Sequence, residues 1–408
     1  MFEVEEWLHS RIGLNFRSGL GRMQRAVDLL GNPEKTYPII HVTGTNGKGS
    51  TIAFMRELFV AHGKKVGTFT SPHIICINDR ICINGQPITD ETFIRLANKV
   101  QEMEKNLLET HDQLSFFELL TLIAFLYFRE QEVDLVLLEV GIGGLLDTTN
   151  VVTGEIAVIT SIGLDHQETL GDNLEEIAEQ KGGIFKVGKK AVIAKIAPEA
   201  ELVCQKIARV LDVDLYQAGD FSSSLERFSQ LEIGLEGAYQ RENASLALQS
   251  FLLFMASRGE KVDEELVRQA LQETHWAGRL ERIRPQIYLD GAHNLPALTR
   301  LVEFIQEKIQ QGYQIRILFG ALKRKDYQGM LGYLSEQLPQ VELKVTGFDY
   351  QGSLDEKDVA GYDLIPSYGD FIREFEEKAN DQDLLFVTGS LYFISEVRAS
   401  LVGSDGAS

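Results

Sequence analysis

Thr43-Gly44-Thr45-Asn46-Gly47-Lys48-Gly49-Ser50 joins an apolar strand predicted at 37–43 to a helix predicted at 50–62. Glycines allow backbone N–H groups to point into such a loop, and the start of a helix favours an anion. Lys48 can reach the β- and γ-phosphates of a nucleotide. The first glycine lies four residues before this lysine rather than six, so the spacing is not the standard Walker pattern. The sequence therefore predicts a phosphate-binding loop of unusual spacing.

Short apolar strands alternate with amphipathic helices after this loop, which predicts a mostly parallel α/β sheet. Further strands are predicted at 65–69, 133–140, 156–162 and 191–196. The pattern weakens over 212–233, which indicates an irregular or antiparallel segment, and the alternation resumes with a strand at 287–290. A turn-rich basic stretch at 277–285 is the predicted hinge. We therefore expect a first domain at 1–279 and a smaller α/β domain at 286–408.

The composition excludes several classes of protein. The 408 residues include 40 Lys and Arg but 60 Asp and Glu, and the net charge of −20 disfavours a nucleic-acid binder or a protein docked on anionic membrane. Three cysteines are too few for a disulfide framework. The acidic residues 1–10 do not resemble a signal peptide, and the apolar stretch 114–128 is too short to cross a bilayer. We expect a cytoplasmic protein.

Polar residues follow three of the predicted strands at their carboxyl ends. These are Glu139, Ser71 in Ser71-Pro72-His73, and His166 in Gly163-Leu164-Asp165-His166. Parallel strands place such ends at one edge of a sheet, where ligands bind, and a carboxylate beside phosphates suits magnesium. Taken alone, Glu139 could be a paired structural carboxylate and His166 a structural histidine. Their convergence on the glycine loop favours a metal site.

Five motifs occur in order along the chain, and together they resemble the folylpolyglutamate synthase/dihydrofolate synthase family within the larger Mur ligase group. They are His41-Val42-Thr43-Gly44-Thr45-Asn46-Gly47-Lys48-Gly49-Ser50, Thr70-Ser71-Pro72-His73, Glu139-Val140-Gly141-Ile142-Gly143-Gly144, Gly163-Leu164-Asp165-His166 and Asp290-Gly291-Ala292-His293-Asn294. The resemblance extends from about Leu20 to Tyr392. It implies a Mur-ligase-like P-loop ATPase domain with a central, mostly parallel sheet, followed by a Rossmann-like C-terminal domain. The chain departs from the family pattern at Leu145, Gly182 and Arg324.

The resemblance also implies the binding residues. ATP would be bound by Thr45, Asn46, Gly47, Lys48, Gly49, Ser50, Asn243, Arg279 and Asp290. Two Mg²⁺ sites are implied, one held by Ser71 and Glu139 and one by His166, with carbamylated Lys181 as an additional anionic oxygen donor. Lys48 and Lys181 are therefore expected to serve catalysis, together with His293 as a group that orients or deprotonates the attacking amine.

The implied activity is an ATP-dependent amide ligase that adds L-glutamate to a folate through an acyl phosphate. Whether it extends tetrahydrofolate, acts on dihydropteroate or does both is left open by the sequence. Ser390 would help bind glutamate, and Arg80, Phe116 and Glu118 are candidates for the pterin side of the substrate. The resemblance suggests a monomer.

Two other functions remain as alternatives. A Mur-type peptide ligase of cell-wall synthesis carries an additional N-terminal domain, whereas only 42 residues precede Thr43 here. A non-catalytic nucleotide sensor on the same scaffold would be expected to lose metal ligands, whereas Ser71, Glu139, His166 and Lys181 are all present. Both observations favour the folate ligase.

Overall fold

A computed structural model describes residues 2–14, 19–219, 231–359 and 361–404 of the chain. The chain forms two compact units. The first comprises Met1–Ile233 and Arg241–Thr274, and the second comprises Gly234–Gln240 and His275–Ser408.

The first unit is built on an eight-stranded sheet in the order β4-β3-β2-β5-β1-β6-β7-β8. Its strands are β1 Ile39–Thr43, β2 Val66–Phe69, β3 Ile81–Ile83, β4 Gln86–Pro87, β5 Leu135–Glu139, β6 Ile156–Ile159, β7 Lys190–Ile193 and β8 Asp214–Gln217. The pairs β2–β3 and β3–β4 are antiparallel and all other pairs are parallel. Every residue of β1, β5 and β6 is buried, as expected for central parallel strands covered on both faces.

Helices cover this sheet. They are α1 Phe2–His9, α2 Gly21–Leu29, α3 Lys48–Ala61, α4 Asp90–Leu107, α5 Phe116–Glu130, α6 Gln167–Leu170, α7 Leu174–Gly182, α8 Pro198–Val210, α9 Ala238–Ser257 and α10 Glu264–Glu273. One apolar core contains buried residues of α1, α2, α4 and α5, and another contains those of α7 and α8. Helix α9 begins in the segment assigned to the second unit and continues in the first.

The second unit contains a six-stranded sheet in the order β13-β12-β11-β14-β10-β9. Its strands are β9 Glu281–Arg284, β10 Ile287–Leu289, β11 Gln314–Phe319, β12 Glu342–Thr346, β13 Asp363–Ile365 and β14 Asp383–Thr388. Its helices are α11 Leu295–Gln310, α12 Tyr327–Gln337, α13 Tyr368–Lys378 and α14 Leu391–Ser404. Only β9, which pairs with β10, is antiparallel to its neighbour among the described strands. Strand β9 lies within the stretch that the sequence predicts as a hinge.

The α/β class and the mostly parallel sheets predicted from the sequence are confirmed. The prediction of an irregular or antiparallel segment at 212–233 is wrong at β8, which pairs with β7 in parallel, whereas residues 231–233 form no helix or strand. This strand is at the sheet edge and is half-exposed, so it lacks the continuous apolar run of a central strand. Residues 220–230 of that stretch lie outside the described residues. No described helix is long and apolar enough to cross a membrane.

Candidate active site

The glycine loop connects β1 to α3 and lies tightly against the residues that follow β6. A Cβ on Gly44 would overlap the Thr160 hydroxyl, so this position requires glycine. The Thr45 hydroxyl donates to the Gly163 carbonyl oxygen at 3.0 Å, and the Asn46 N–H donates to Ser161 Oγ at 2.8 Å. These contacts fix the loop against the carboxyl end of a second strand.

Lys48, the first residue of α3, is half-buried and folds back over the loop. Its Nζ donates to the Gly44 carbonyl oxygen at 2.8 Å. Gly47 precedes it with φ of 87°, a left-handed conformation that glycine adopts without strain. A Cβ at Gly47 would lie 2.5 Å from Oδ1 of the buried Asn243. The structure therefore places Asn243 of α9 directly against the loop.

Thr45, Asn46 and Gly49 are partly exposed, whereas Ser50 is buried. Gly49 and Ser50 lie in the first turn of α3, where backbone N–H groups have no helical partner. An anion at this position would meet such N–H groups and the positive end of the helix dipole. The local geometry suits a phosphate.

Glu139 ends β5 beside the start of the loop after β2. Its side chain is buried, and its Oε2 accepts a hydrogen bond from the Ser71 N–H at 3.0 Å. The peptide bond between Ser71 and Pro72 is cis. The two predicted metal ligands are thus adjacent, and both offer the hard oxygen atoms that Mg²⁺ prefers.

No group of three or more His, Cys, Asp and Glu side chains that could hold a metal occurs among the residues that the structure describes. A metal at Glu139 and Ser71 would therefore need further ligands from phosphates and water, which is the usual situation for Mg²⁺ in nucleotide sites. His166, the other predicted ligand, is half-exposed at the start of α6, and its N–H donates to Asp165 Oδ1 at 2.9 Å. The oxygen atoms of Glu139 and Ser71, completed by phosphates and water, are a donor set that suits Mg²⁺.

Lys181 lies at the C-terminal end of α7 and is 2% exposed. Burial, and then the charge of Lys48, lower the pKa of its ammonium group to about 7, while the charges of Asp165 and Asp147 oppose the change. Lys181 is therefore electrostatically coupled to Lys48 of the glycine loop. A Cβ on Gly144 would lie 2.7 Å from the Gln180 carbonyl oxygen and 3.0 Å from that of Lys181. The loop after β5 therefore packs directly on this end of α7.

The candidates for substrate binding in the first unit differ in their environment. Arg80 is buried, its Nε donates to His73 Nδ1 at 3.1 Å, and its guanidinium lies 5.6 Å from the centre of the Phe116 ring. Phe116 also stacks on His9. Arg80 and Phe116 thus form a cationic and aromatic cluster.

Glu118 has a different arrangement, because its carboxylate is already hydrogen-bonded. It accepts three hydrogen bonds from the Arg22 guanidinium, the shortest at 2.7 Å, and it caps α5 by accepting the Ser115 N–H at 2.7 Å. These contacts join α2 to the start of α5. That Glu118 contacts substrate stays a prediction.

The second unit places its candidate residues at the carboxyl ends of β10 and β14. Asp290 is buried, and its two carboxylate oxygens accept the N–H groups of Leu280 and Ala292, each at 2.9 Å. Burial raises the pKa of Asp290, and the nearby Arg279 charge opposes this. A Cβ on Gly291 would overlap the Arg279 guanidinium, so the two segments are in close contact.

His293 and Ser390 occupy neighbouring strand ends in this unit. His293 Nδ1 lies 2.8 Å from the Gly291 carbonyl oxygen, which assigns the proton of a neutral ring to Nδ1 and leaves Nε2 as an acceptor. Ser390 is buried before α14, and its Oγ accepts the Tyr392 N–H at 3.2 Å. Strands β10 and β14 are paired in parallel, so both residues lie at the same edge of this sheet.

Sequence reasoning missed several residues of the site. Thr160 and Ser161 follow β6 and hold the glycine loop, and their position at a strand end was the available signal. Asp147, buried in the loop after β5, was missed because an isolated Asp beyond a glycine pair has no distinctive spacing. Its Oδ2 accepts the Ile142 N–H at 3.0 Å.

The sheet, the glycine loop and the polar residues at the strand ends are those of an enzyme of the Mur ligase class, and residues 42–251 match the Mur ligase middle domain. Two curated relatives align over 98% of this chain and 98% of their own length. They are the dihydrofolate synthase/folylpolyglutamate synthase of Bacillus subtilis, 36% identical, and the folylpolyglutamate synthase of Lacticaseibacillus casei, 32% identical. The chain belongs to the folylpolyglutamate synthase/dihydrofolate synthase family.

Solved structures agree with this assignment. The Mycobacterium tuberculosis folylpolyglutamate synthase complexed with ADP has a TM-score of 0.86 and 27% identity, with 98% of each chain covered. A bifunctional folylpolyglutamate synthase/dihydrofolate synthase from Yersinia pestis, complexed with AMPPNP and Mn ion, has a TM-score of 0.85 and 28% identity over the same shares. The resemblance inferred from the sequence motifs is confirmed.

The pairing of Arg22 with Glu118 leads to a prediction about stability. Arg22→Met and Glu118→Gln should each lower the free energy of unfolding by about 3 kcal/mol, since each leaves a buried charge without its partner. The double variant should lose less than the sum of the two. Chemical denaturation measures all three values, and a Glu118→Gln variant as stable as the wild type would contradict this structural role.

Proposed function

We propose that this chain is an ATP-dependent ligase that joins L-glutamate to the terminal carboxylate of a folate and releases ADP and phosphate. The observation that supports it best is the glycine loop with Lys48 beside the adjacent pair Glu139 and Ser71, in a chain similar over its whole length to folate ligases. ATP, L-glutamate and a folate are the proposed substrates. That the enzyme is a cytoplasmic monomer stays a prediction.

In the first step, an oxygen of the folate carboxylate attacks the γ-phosphorus of ATP, and the bond from that phosphorus to ADP breaks. The reacting groups are both anionic, so positive charge is required where they meet. Lys48 Nζ donates a hydrogen bond to the Gly44 carbonyl oxygen of its own loop. When ATP binds, it would instead donate to the β- and γ-phosphates. The amides at the start of α3 would bind the same phosphates.

Glu139 and Ser71 would hold one Mg²⁺, and His166 would hold a second. Mg²⁺ supplies neutralisation of phosphate charge when it is bound. Asn243 would contact the adenine, since its amide lies against Gly47 of the loop. Arg279 and Asp290 are proposed to contact ATP from the second unit.

In the second step, the amine of L-glutamate attacks the acyl carbon of the acyl phosphate. The bond from this carbon to the phosphate oxygen breaks, and the nitrogen loses a proton. His293 is proposed to orient the amine or to accept that proton, because an imidazole can act as a general base and the Gly291 carbonyl oxygen, 2.8 Å from Nδ1, holds the ring in place. Ser390 would bind glutamate at the neighbouring strand end.

We also propose that Lys181 is carbamylated. A buried amine coupled to the positive charge of Lys48 is costly to protonate, and its pKa of about 7 leaves a substantial neutral fraction at neutral pH. The neutral nitrogen attacks CO₂, forms an N–C bond and loses a proton, which gives a carbamate. The buried positive charge is then replaced by a negative oxygen donor that interacts favourably with the positive charge of Lys48.

Arg80 and Phe116 are proposed to contact the pterin. A planar ring could stack on the half-buried Phe116, beside the guanidinium of Arg80. Contacts to the pterin do not distinguish dihydropteroate from a folate, because the two share the pterin and differ in the glutamyl tail. Measured activity with each substrate distinguishes them.

ADP release should require both L-glutamate and a pterin substrate. Tetrahydrofolate and dihydropteroate are tested separately. Activity with dihydropteroate would establish dihydrofolate synthase activity in addition to folate extension. Lys48→Ala should reduce kcat at least about 100-fold with either substrate, because it removes a donor to the transferring phosphate. The exposed Lys206→Ala on α8 is the matched control. ADP release without any pterin, or near-normal turnover of Lys48→Ala, would contradict the proposal.

Removal of dissolved CO₂ should reduce activity, and bicarbonate should restore it. The loss should be greater below pH 7, because the protonated Lys181 amine cannot attack CO₂ and its pKa is about 7. ¹³C NMR of the protein with ¹³C-bicarbonate should give a carbamate signal that is absent from Lys181→Arg and retained in the control Lys206→Arg. Full activity without CO₂, together with no Lys181-dependent signal, would disprove carbamylation and leave the ligase function untouched.

A further inference from the structure

A buried chain of hydrogen bonds joins β1 to the loop that follows β5. His41 Nε2 lies 2.8 Å from Thr149 Oγ1, and neither residue is exposed to solvent. The Thr149 hydroxyl donates to Asp147 Oδ1 at 2.6 Å, and the Thr149 N–H donates to the same oxygen at 2.9 Å. Asp147 Oδ2 accepts the Ile142 N–H at 3.0 Å.

The donors and acceptors in this chain of contacts define the protonation of His41. Both Asp147 oxygens accept backbone N–H groups, which favours the carboxylate although burial raises its pKa. The Thr149 hydroxyl has a single proton, which it donates to Asp147. Thr149 Oγ1 must therefore accept a hydrogen bond from the Nε2–H of His41. Burial, and then the charge of Lys186, lowers the pKa of His41 to about 3, so the ring is neutral. Its Nδ1 has no hydrogen-bond partner among the described residues.

Asp147 acts on the loop that begins directly after Glu139. A Cβ on Gly141 would lie 3.1 Å from Asp147 Oδ2, so the carboxylate lies close against the backbone there. The Gly143 carbonyl oxygen accepts the Thr43 hydroxyl at 2.5 Å. The loop is thus held at one point by Asp147 and at another by the residue that ends β1.

We infer that His41 and Thr149 are positioning residues, which act through Asp147 to fix the backbone after Glu139 and so keep that carboxylate in place for the metal–nucleotide complex. The inference rests on the proposed function, because it assigns the metal to Glu139. Neither residue is expected to touch substrate, since both are fully buried. Hydrogen-bond partners that orient a metal ligand typically alter metal affinity 10- to 100-fold when removed.

The protonation of His41 is tested in the protein without metal. ¹⁵N NMR of histidine-labelled protein should show one ring with its proton on Nε2 and no titration between pH 5.5 and 8, values chosen around the ordinary pKa of about 6.5. The signal is assigned by its absence from His41→Gln. A proton on Nδ1, or a ring that titrates in this range, would overturn the inference.

The positioning role is tested by calorimetric binding of Mn²⁺–AMPPNP. Thr149→Val, which keeps the shape and removes the hydroxyl, should weaken binding at least about tenfold, and His41→Leu should do the same. The double variant should bind no more than about threefold more weakly than either single variant, because the two residues act as one unit. Thr149→Ser and His41→Gln retain the donors and should stay within about threefold of the wild type.

Thr274→Val is the matched control. Thr274 is equally buried, and its hydroxyl donates to the Ala270 carbonyl oxygen at 2.7 Å, in α10. It should lose stability while its affinity for Mn²⁺–AMPPNP stays unchanged. If Thr149→Val binds as tightly as Thr274→Val, or if the effects of His41→Leu and Thr149→Val multiply, the inference is wrong. If the wild type itself does not bind Mn²⁺–AMPPNP, the proposed function fails and the inference fails with it.

Discussion

Strand β1 is paired in parallel with β5 on one side and β6 on the other, and the site depends on the register of these hydrogen bonds. Val42 lies opposite Glu139, and Thr43 lies opposite Ile159. The glycine loop, the carboxylate that ends β5 and the turn after β6 therefore begin at the same level of the sheet. A shift of one residue in either pairing would turn the strand-end side chains to the other face. Apolar residues buried on both faces of these strands hold the register.

The electrostatics of the first unit explain how a chain of net charge −20 can serve polyanionic substrates. Lys48 and Lys181 are both in this site, and the pKa of Lys181 is lowered partly by the charge of Lys48. Asp147 and Asp165 partly compensate this local positive charge. Many acidic residues elsewhere are exposed and screened by salt, whereas Lys181 and Asp147 are buried and interact more strongly. Local placement therefore matters more than total charge.

The sequence predicted those features that depend on residues close together in the chain. The glycine loop was visible from one octapeptide, and β5 was visible from its unbroken apolar run. The proximity of Ser71 and Glu139 was also predicted, because parallel strands bring their carboxyl ends together. Contacts between distant residues that do not follow from strand ends were not predicted. His41 and Thr149 are 108 residues apart, and Arg22 and Glu118 are 96 apart, so neither contact leaves a pattern in the sequence. Strand β8 was misinterpreted because an edge strand has half-exposed faces and mixed polarity.

We propose that one edge of the first sheet binds a metal–nucleotide complex at the glycine loop and Glu139. Anomalous diffraction from crystals grown with Mn²⁺ and AMPPNP tests this proposal. We expect a manganese peak at coordination distance, about 2.2 Å, from oxygen atoms of Glu139 and Ser71, with the β- and γ-phosphates hydrogen-bonded to Lys48. Manganese bound away from Glu139, or a nucleotide whose phosphates do not touch the glycine loop, would contradict it.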